Sequence, residues 1–389
     1  MSRQPQSSPD EPVTDAPAAV TDRGSAKRFT DTHIRPVADV YDSAGRMPDG
    51  LLKAASEAGL WAPFLPVEAG GAGVSFTTLG RIHEEVGRGC SSMRSLLTVH
   101  SMVSFAVHRW GTAEQRTRWL PGLADGSTPG SLCVSEPGSG SNATTELTTT
   151  AVREGTTWVL RGTKTWITGG QLARLFLVFA RAPGGVVAFL VPAEANGVEV
   201  EPIEGMLGTR AGMLATVHLR EVALGSEALL GPEAFASGML LTGVLDIGRL
   251  SVAAGSVGIL QACIDACASY TTERRVGGVP LRELPLIRAR ISDMVTDTAA
   301  ARLLYEEAGR LKDANDSGTI MATMIAKYFA STRAARHANE AVQIHGANGC
   351  APESSVARYY RDAKVMEIIE GSSEIQQLTI ADAAYRIAA

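Results

Sequence analysis

The sequence contains few cysteines, and their arrangement argues against several classes of protein. Five cysteines occur in 389 residues, an odd number, and no pair has the Cys-x-x-Cys spacing. A disulfide framework and a zinc or thiol redox motif are therefore not indicated. Cys263 and Cys267 are four residues apart in a helical pattern, so we expect them to pack together on a buried face. We expect a reducing, cytoplasmic environment and no metal site.

Excess basic charge and long apolar runs are also missing. The chain has 36 Lys and Arg residues against 41 Asp and Glu residues, a net charge of -5. This balance argues against a general nucleic-acid binder, although it leaves room for a local basic patch. No apolar run reaches the roughly 18 residues needed to cross a membrane, and the N-terminus lacks the layout of a signal peptide. We therefore expect neither nucleic acid nor membrane as a partner.

Hydrophobic periodicity predicts an α+β protein with three domains. Residues 1–25 are rich in Pro, Ser, Asp and Thr, which predicts a disordered tail. Residues 26–129 show helical spacing, residues 130–235 contain short β-rich runs, and residues 236–389 return to long helical patterns that predict a four-helix bundle. The β-rich runs lie at 157–160, 175–179 and 186–191, and the long helices at 240–270, 286–311, 319–345 and 373–388.

Two segments of the β domain have the composition of a ligand-binding surface. Residues 133–142 combine Pro with alternating Gly and Ser, so they form a loop whose backbone N–H groups and hydroxyls are free to face a ligand. Residues 163–170 place Trp166 between hydroxyl side chains and end in paired Gly. Trp166 is suited to stack on a heteroaromatic cofactor. An ordinary surface loop and a core tryptophan are the alternative interpretations.

The last helical segment contains a candidate for acid–base chemistry. Glu370 follows two isoleucines and precedes Gly371, and a glycine turn at residues 343–349 ends an earlier helix. A carboxylate among apolar neighbours can lie in a dry pocket, where desolvation raises its pKa toward the range useful for a general base near neutral pH. The alternative interpretation is a surface charge at the end of a helix.

Read together, these segments resemble the acyl-CoA dehydrogenase family. The resemblance implies an N-terminal α-helical domain, a middle β-barrel or sheet domain and a C-terminal four-helix bundle. It also implies FAD as cofactor, a homo-oligomer (dimer or tetramer), an acyl thioester substrate on CoA or a carrier protein, and electron-transfer flavoprotein or another electron acceptor as partner. The matching blocks are 133–142, 166–168, 273–274, 343–349 and 361–376, in the family's order over about residues 30–388.

The resemblance also assigns residues to the cofactor and to the substrate. Flavin contacts are implied for Cys133, Val134, Ser135, Gly140, Ser141, Trp166, Ile167, Thr168, Ser372 and Glu374. Contacts with the FAD of a neighbouring subunit are implied for Arg274, Gln343, Gly346 and Ala347. Substrate contacts are implied for Arg94, Ser95, Ser141, Asp246, Arg249 and Gly371.

Glu370 matches the catalytic base of most family members. Some members place the base just before the arginine that aligns with Arg249, and this chain has Gly248 there, which carries no carboxylate. The implied reaction is removal of the α-proton by Glu370 with hydride transfer from Cβ to flavin N5. The implied oxyanion site for the thioester oxygen includes the backbone N–H of Glu370.

Arg94 is the main indication of the acyl group. It lies in an apolar helical stretch, and a buried guanidinium needs a partner. That partner is either a structural carboxylate or the free carboxylate of a substrate, which suits the planar fork of arginine. Residues 90–99 resemble the carboxylate-binding arginine segment of glutaryl-CoA dehydrogenases and also dehydrogenases of polyketide extender-unit biosynthesis. Residues 248–253 and 360–374 look closer to the polyketide group. The implied substrate is a substituted malonyl unit, such as a hydroxymalonyl or alkylmalonyl group.

Three residues depart from the family pattern, and three other functions stay open. Gly277 replaces a common Phe near the neighbouring flavin, Asp382 replaces an Arg that meets the CoA end of the substrate, and Asn142 replaces a common Asp. The alternatives are a catabolic short- or medium-chain acyl-CoA dehydrogenase, an oxygen-reducing acyl oxidase and a non-catalytic DNA-associated member. The acidic net charge and the presence of Glu370 argue against the last of these.

Overall fold

The computed structural model describes residues 17–140, 146–233 and 235–388. The predicted disordered tail lies outside this range up to residue 16, but its end is ordered, because Val20 is buried and the first helix begins at Arg23. There the prediction is wrong. Asp22 and Ser25 form a capping box, in which each side chain accepts the other residue's backbone N–H. A composition that suggested disorder therefore starts a helix.

The N-terminal domain is helical, as predicted, and its helices are joined by tight turns. Cys90 is the only residue between α4 and α5, and its extended backbone redirects the chain so that most of α5 is buried. Thr112 and Gln115 form a capping box at the start of α6. The helices are α1 (Arg23–Phe29), α2 (Ala38–Ala44), α3 (Asp49–Glu57), α4 (Phe76–Gly89), α5 (Ser91–Trp110) and α6 (Ala113–Asp125).

The middle domain is a seven-stranded sheet in the order β1-β4-β2-β3-β7-β6, with β5 paired to β4. The uninterrupted apolar runs of β4 and β5 form an antiparallel pair that is buried along nearly its whole length. The pairing of β3 with β7 shifts register between Lys164 and Ile167. The strands are β1 (Gly130–Cys133), β2 (Thr150–Glu154), β3 (Thr157–Ile167), β4 (Leu175–Ala182), β5 (Gly185–Pro192), β6 (Val198–Pro202) and β7 (Ala215–Gly225).

The C-terminal domain contains the four predicted long helices. It also contains α10, which was not predicted, because its mixed polar and apolar residues show no clear helical periodicity. A short hairpin follows α7, and its turn is Gly277–Gly278 with φ of 59° and 82°. Gly277 is therefore the left-handed residue of a turn, with open space beside it where many family members have Phe. The elements are α7 (Leu241–Glu273), β8 (Arg275–Val276), β9 (Val279–Pro280), α8 (Pro285–Asp313), α9 (Thr319–His345), α10 (Ser355–Ile368) and α11 (Ser373–Ala388).

Helix α7 is the central helix of this domain. With the turn before it, the segment Ala236–Glu273 is long and apolar enough to cross a membrane, but 78% of its most apolar window is buried inside the protein. That burial is typical of the core helix of a helical bundle. Cys263 and Cys267 are both buried on α7, as their spacing predicts.

Candidate active site

Glu370 lies in the connection between α10 and α11, in a left-handed backbone conformation with φ of 57°. This conformation is unfavourable for a residue with a long side chain, so the surroundings must hold it. The Glu370 carbonyl accepts hydrogen bonds from Arg249 Nε at 3.3 Å and from Gln376 Nε2 at 3.1 Å. The backbone that carries the proposed base is therefore fixed by side chains of α7 and α11.

The Glu370 carboxylate points toward α7. Its Oε2 atom is buried and accepts no hydrogen bond from the described residues. A Cβ atom at Gly248 would lie 2.3 Å from Oε2, so the glycine makes the space that the carboxylate occupies. Burial raises the pKa of Glu370 to about 7, although Arg249, Lys327 and Arg94 act in the opposite direction. A surface charge is excluded, and the group is suited to accept a proton near neutral pH.

Lys327 of α9 is a site residue that the sequence reasoning missed. It is buried, and its Nζ donates to the carbonyls of Gly371 at 2.6 Å and Glu367 at 3.2 Å. Burial lowers the pKa of Lys327 to about 8. The lysine therefore ties the connection that carries Glu370 to α9. A lone lysine among apolar residues at 324–330 was the available signal.

Arg94 is fully buried, with 0% of the residue exposed. Its Nη atoms donate to Thr98 Oγ1 at 2.9 Å, to Ser95 Oγ at 2.8 Å and to the sulfur of Met366 at 3.1 Å, while Nε has no partner. No carboxylate of the described chain lies within the 4.0 Å of an ion pair. The alternative of a structural carboxylate partner is therefore wrong. Burial lowers the pKa of Arg94 to about 10, and Glu370 is the main charge acting in the opposite direction.

Asp246 and Arg249 occupy the same end of α7 as Gly248. Arg249 is buried, and burial lowers its pKa. Asp246 forms an ion pair with Lys312 of α8, and its Oδ1 atom is buried without a partner. One carboxylate oxygen of Asp246 therefore pairs α7 with α8 through Lys312, and only Oδ1 is available to a substrate.

Trp166 is held out of the sheet at the register shift in β3. Its φ is 59°, and 58% of the residue is exposed, so a core position is excluded. Ile167 beside it is buried and anchors the strand, whereas Thr168 is half-buried. A strained backbone that exposes a large aromatic face fits stacking on a flat cofactor.

The loop that follows β1 packs beside this tryptophan strand. Thr165 N donates to the carbonyl of Ser135 at 3.0 Å. Glu136 and Lys164 form a buried ion pair of 2.8 Å, and Lys164 also donates to the Val134 carbonyl. Burial acts to raise the pKa of Glu136, but hydrogen bonds, first from Lys164, lower it to about 2. This ion pair holds the loop against the strand that carries Trp166.

The remaining residues assigned to the loop differ in exposure. Burial raises the pKa of Cys133 to about 12, so it is a packed thiol at the end of β1. Gly140 is exposed. Ser141 and Asn142 lie outside the described residues.

The second set of predicted flavin residues lies at the opposite end of α7. Arg274, Gln343, Gly346 and Ala347 are all exposed. Arg274 is 26 residues after Gly248, so it lies about 39 Å from it along the helix axis. One cofactor cannot span both sets within one chain, which agrees with the implied contact to a neighbouring subunit. An open groove of about 400 Å³ adjoins this set, lined by residues 284–287, Arg290, Gln343 and Ile344.

Two further assigned residues follow the proposed base. Ser372 is half-buried and Glu374 is exposed, in the first turn of α11. A hydrogen bond from Ser372 lowers the pKa of Glu374. Asp382, further along α11, is exposed. Over the part of the chain that the structure describes, no group of three or more His, Cys, Asp or Glu side chains is arranged to hold a metal.

Comparison with known proteins identifies close relatives over nearly the whole chain. Models of the N-terminal, middle and C-terminal domains of acyl-CoA dehydrogenase match residues 21–127, 131–222 and 237–385. The mitochondrial short-chain specific acyl-CoA dehydrogenase of Sus scrofa is 35% identical over 365 residues, covering 92% of this chain and 88% of the relative.

Two solved structures are similar as well. Glutaryl-CoA dehydrogenase from Mycobacterium smegmatis in complex with FADH2 has a TM-score of 0.89 and 28% identity, with 93% of each chain covered. FkbI, which serves biosynthesis of the methoxymalonyl extender unit of the polyketide Fk520, has a TM-score of 0.85 and 33% identity, with 94% of this chain and 99% of that chain covered. These matches confirm the predicted fold and the predicted cofactor.

Proposed function

The chain belongs to the acyl-CoA dehydrogenase family and is an FAD-type oxidoreductase of acyl thioesters, and from this premise we propose that its substrate carries a second, free carboxylate. The observation that carries the proposal is Arg94, a buried guanidinium without a carboxylate partner in the described chain. A charge in such a place costs several kcal/mol unless a ligand neutralises it. A substrate carboxylate supplies the missing charge.

Glu370 is the proposed base that removes the α-proton of the acyl group. Its buried carboxylate and raised pKa support this role. The chemistry that bound FAD would supply is acceptance of a hydride from the neighbouring carbon. Arg249, Gln376 and Lys327 hold the backbone of the base, while Trp166, Thr168 and the loop at 133–140 offer a surface for the flavin.

Within this class we favour a substituted malonyl unit on a carrier protein or on CoA, made for a polyketide. The hydride step requires its substituent to be an alkyl group, because the other carbons bound to the α-carbon are carbonyl carbons without hydrogen. The 33% identity with FkbI supports this choice, and so does the block at 360–374. A catabolic short-chain acyl-CoA dehydrogenase is the second candidate, favoured by the 35% identity with the Sus scrofa enzyme. A short-chain fatty acyl group has no second carboxylate for Arg94, which is the reason for our preference.

Location, assembly and electron acceptor complete the proposal. We propose that the enzyme is cytoplasmic. We also propose a homo-oligomer, because the residues assigned to the neighbouring FAD are exposed at the far end of α7. Electron-transfer flavoprotein is the proposed acceptor, as the resemblance to the family implies. A DNA-associated role has no support in the acidic net charge.

The test is anaerobic bleaching of the bound flavin with matched substrates, namely ethylmalonyl and butyryl thioesters on CoA and on carrier protein. We expect faster bleaching by the carboxylated member of each pair. Arg94→Met, which keeps the volume of the side chain, should lower kcat/KM for the carboxylated thioester about a hundredfold and leave the uncharged one nearly unchanged. Glu370→Gln should slow bleaching by both substrates by a factor of about 10² to 10⁴.

A second measurement on the same variant does not depend on turnover. If Arg94 serves a ligand, Arg94→Met removes a buried charge that has no ion-pair partner, and the free energy of unfolding should stay the same or rise. If Arg94 is structural, the variant should lose stability instead. An unchanged substrate preference together with lower stability would refute the proposed substrate class.

A further inference from the structure

A chain of buried hydrogen bonds joins Arg94 to a histidine on another helix. Arg94 Nη1 donates to Thr98 Oγ1 at 2.9 Å, Thr98 Oγ1 lies 2.5 Å from Ser251 Oγ, and Ser251 Oγ lies 2.5 Å from His83 Nδ1. The four side chains come from α4, α5 and α7, and all are buried. The chain contains no carboxylate, so it orients the guanidinium without neutralising its charge.

The hydrogen atoms in this chain can be assigned from the number of donors and acceptors. Thr98 Oγ1 also lies 2.8 Å from the Arg94 carbonyl, and that carbonyl can only accept. If the Thr98 hydroxyl donates to the carbonyl, Ser251 must donate to Thr98, and His83 must donate to Ser251 from Nδ1–H. Each hydroxyl then donates once, and Thr98 presents its second lone pair to Arg94.

The other direction leaves groups unsatisfied. A proton on Nε2 of His83 would be a buried N–H without a partner, because Nε2 makes no hydrogen bond within the described residues. Buried orphan N–H groups are rarer than buried orphan acceptors. The Nδ1–H tautomer is therefore the favoured one. Burial lowers the pKa of His83 to about 3, so the ring is neutral and adds no positive charge beside Arg94.

We infer that His83, Ser251 and Thr98 are positioning residues that hold the Arg94 guanidinium ready for the free carboxylate of the substrate. The inference rests on the proposed function, since it assigns Arg94 to that carboxylate. Neutral acceptors leave the charge of Arg94 available, and fixing the side chain before binding removes an entropic cost at the moment of binding. The device therefore contributes to selection between carboxylated and uncharged acyl groups and not to proton removal.

The experiment compares variants of His83 and Ser251 in the FAD-loaded enzyme. Ser251→Ala removes one oxygen, and His83→Leu removes the donor. His83→Asn keeps an N–H near the position of Nδ1 and is the matched control. For the ethylmalonyl thioester, KM and the Kd of a non-oxidisable carboxylated analogue should rise about tenfold or more in Ser251→Ala and His83→Leu. His83→Asn should stay within about threefold of the wild type. For the butyryl thioester, kcat and KM should not change.

The double variant His83→Leu/Ser251→Ala adds a readout that a merely structural role would not give. Residues that act in series lose their effect together, so the double variant should raise Kd no more than the worse single variant. Additive losses, or equal losses for both substrates, would overturn the inference. If His83→Leu does not fold, Ser251→Ala decides alone: a loss confined to the ethylmalonyl thioester supports the inference, and equal losses for both thioesters overturn it. The proposed function is refuted by a different result, namely that the ratio of kcat/KM for the two thioesters is the same in the wild type and in Arg94→Met.

Discussion

Two glycines on α7 allow the base and the cation to be disturbed one at a time. A Cβ atom at Gly248 would lie 2.3 Å from Oε2 of Glu370 and 3.0 Å from the sulfur of Met102. A Cβ atom at Gly255 would instead lie 2.7 Å from Cδ and Nε of Arg94. Both substitutions to alanine raise helix propensity by about 1 kcal/mol, so their effects on the helix itself cancel in the comparison.

Gly248→Ala should damage catalysis with every substrate. Ordinary contact begins at 3.4 Å, so the carboxylate must withdraw from 2.3 Å to that distance. A misplacement of about 1 Å at a reacting group costs about a hundredfold in rate. We expect kcat to fall by about that factor for both ethylmalonyl and butyryl thioesters, with the content of bound FAD unchanged.

Gly255→Ala is the matched control, because it displaces the stem of Arg94 and leaves Glu370 in place. We expect KM to rise about tenfold for the ethylmalonyl thioester and kcat for the butyryl thioester to stay near the wild-type value. The assay is steady-state reduction of an artificial electron acceptor, with stability followed by thermal unfolding. The same pattern of losses in both variants across the two substrates, or full activity of Gly248→Ala, would refute the separate roles of Glu370 and Arg94.

Two further predictions concern the proposed base and the flavin. The kcat/KM of the wild type should rise with pH through about 7, because only the ionised Glu370 accepts the α-proton. Lys327→Gln removes a cation that lowers the pKa of Glu370, so the rise of kcat/KM should shift to higher pH by up to about one unit. Lys327→Arg keeps the charge and should leave the rise where it is. An unshifted rise in Lys327→Gln would count against Glu370 as the titrating group. Trp166→Ala should weaken FAD binding about two- to tenfold, and Trp166→Phe should weaken it much less. The measurement is the FAD retained during dialysis. Equal retention in both variants would show that the aromatic face does not stack on the flavin.

The sequence predicted those parts of the fold that depend on local patterns. The long helix Thr319–His345 begins and ends where its periodicity predicts, and the apolar runs of β4 and β5 are strands. Glu370 was identifiable because its apolar neighbours and Gly371 are adjacent in sequence. The helix start at Arg23 was missed, since a single capping box outweighs a composition typical of disorder.

The features of the site that could not be predicted are contacts between residues that are far apart in sequence. Lys327 reaches the carbonyl of Gly371 from another helix, and Ser251 meets Thr98 across 153 residues. No local pattern marks such pairs. The partner of Arg94 was undecidable for the same reason, because the absence of a carboxylate around it depends on every helix packed against it.

The spacing along α7 limits where the free carboxylate of the substrate can lie. Gly248 and Gly255, beside the base and the arginine stem, are seven residues apart, which is about 10.5 Å on one face of the helix. The guanidinium of Arg94 turns back toward the base. Its Nη1 donates a hydrogen bond to Thr98, and Thr98 contacts Ser251. Ser251 is only three residues from Gly248 on α7. Residues three apart on a helix are neighbours at about 5–6 Å.

The second carboxylate must therefore lie within a few bonds of the carbon that loses its proton. In a series of ethylmalonyl, glutaryl and suberyl thioesters, we expect the dependence of bleaching on Arg94 to be greatest for ethylmalonyl and to vanish for suberyl. The comparison uses the ratio of wild-type to Arg94→Met rates for each thioester, which removes differences in intrinsic reactivity. A ratio that grows with chain length would place the cation at the far end of the acyl pocket. It would then exclude a malonyl-type substrate while leaving a longer dicarboxylic acyl group as the one that Arg94 serves.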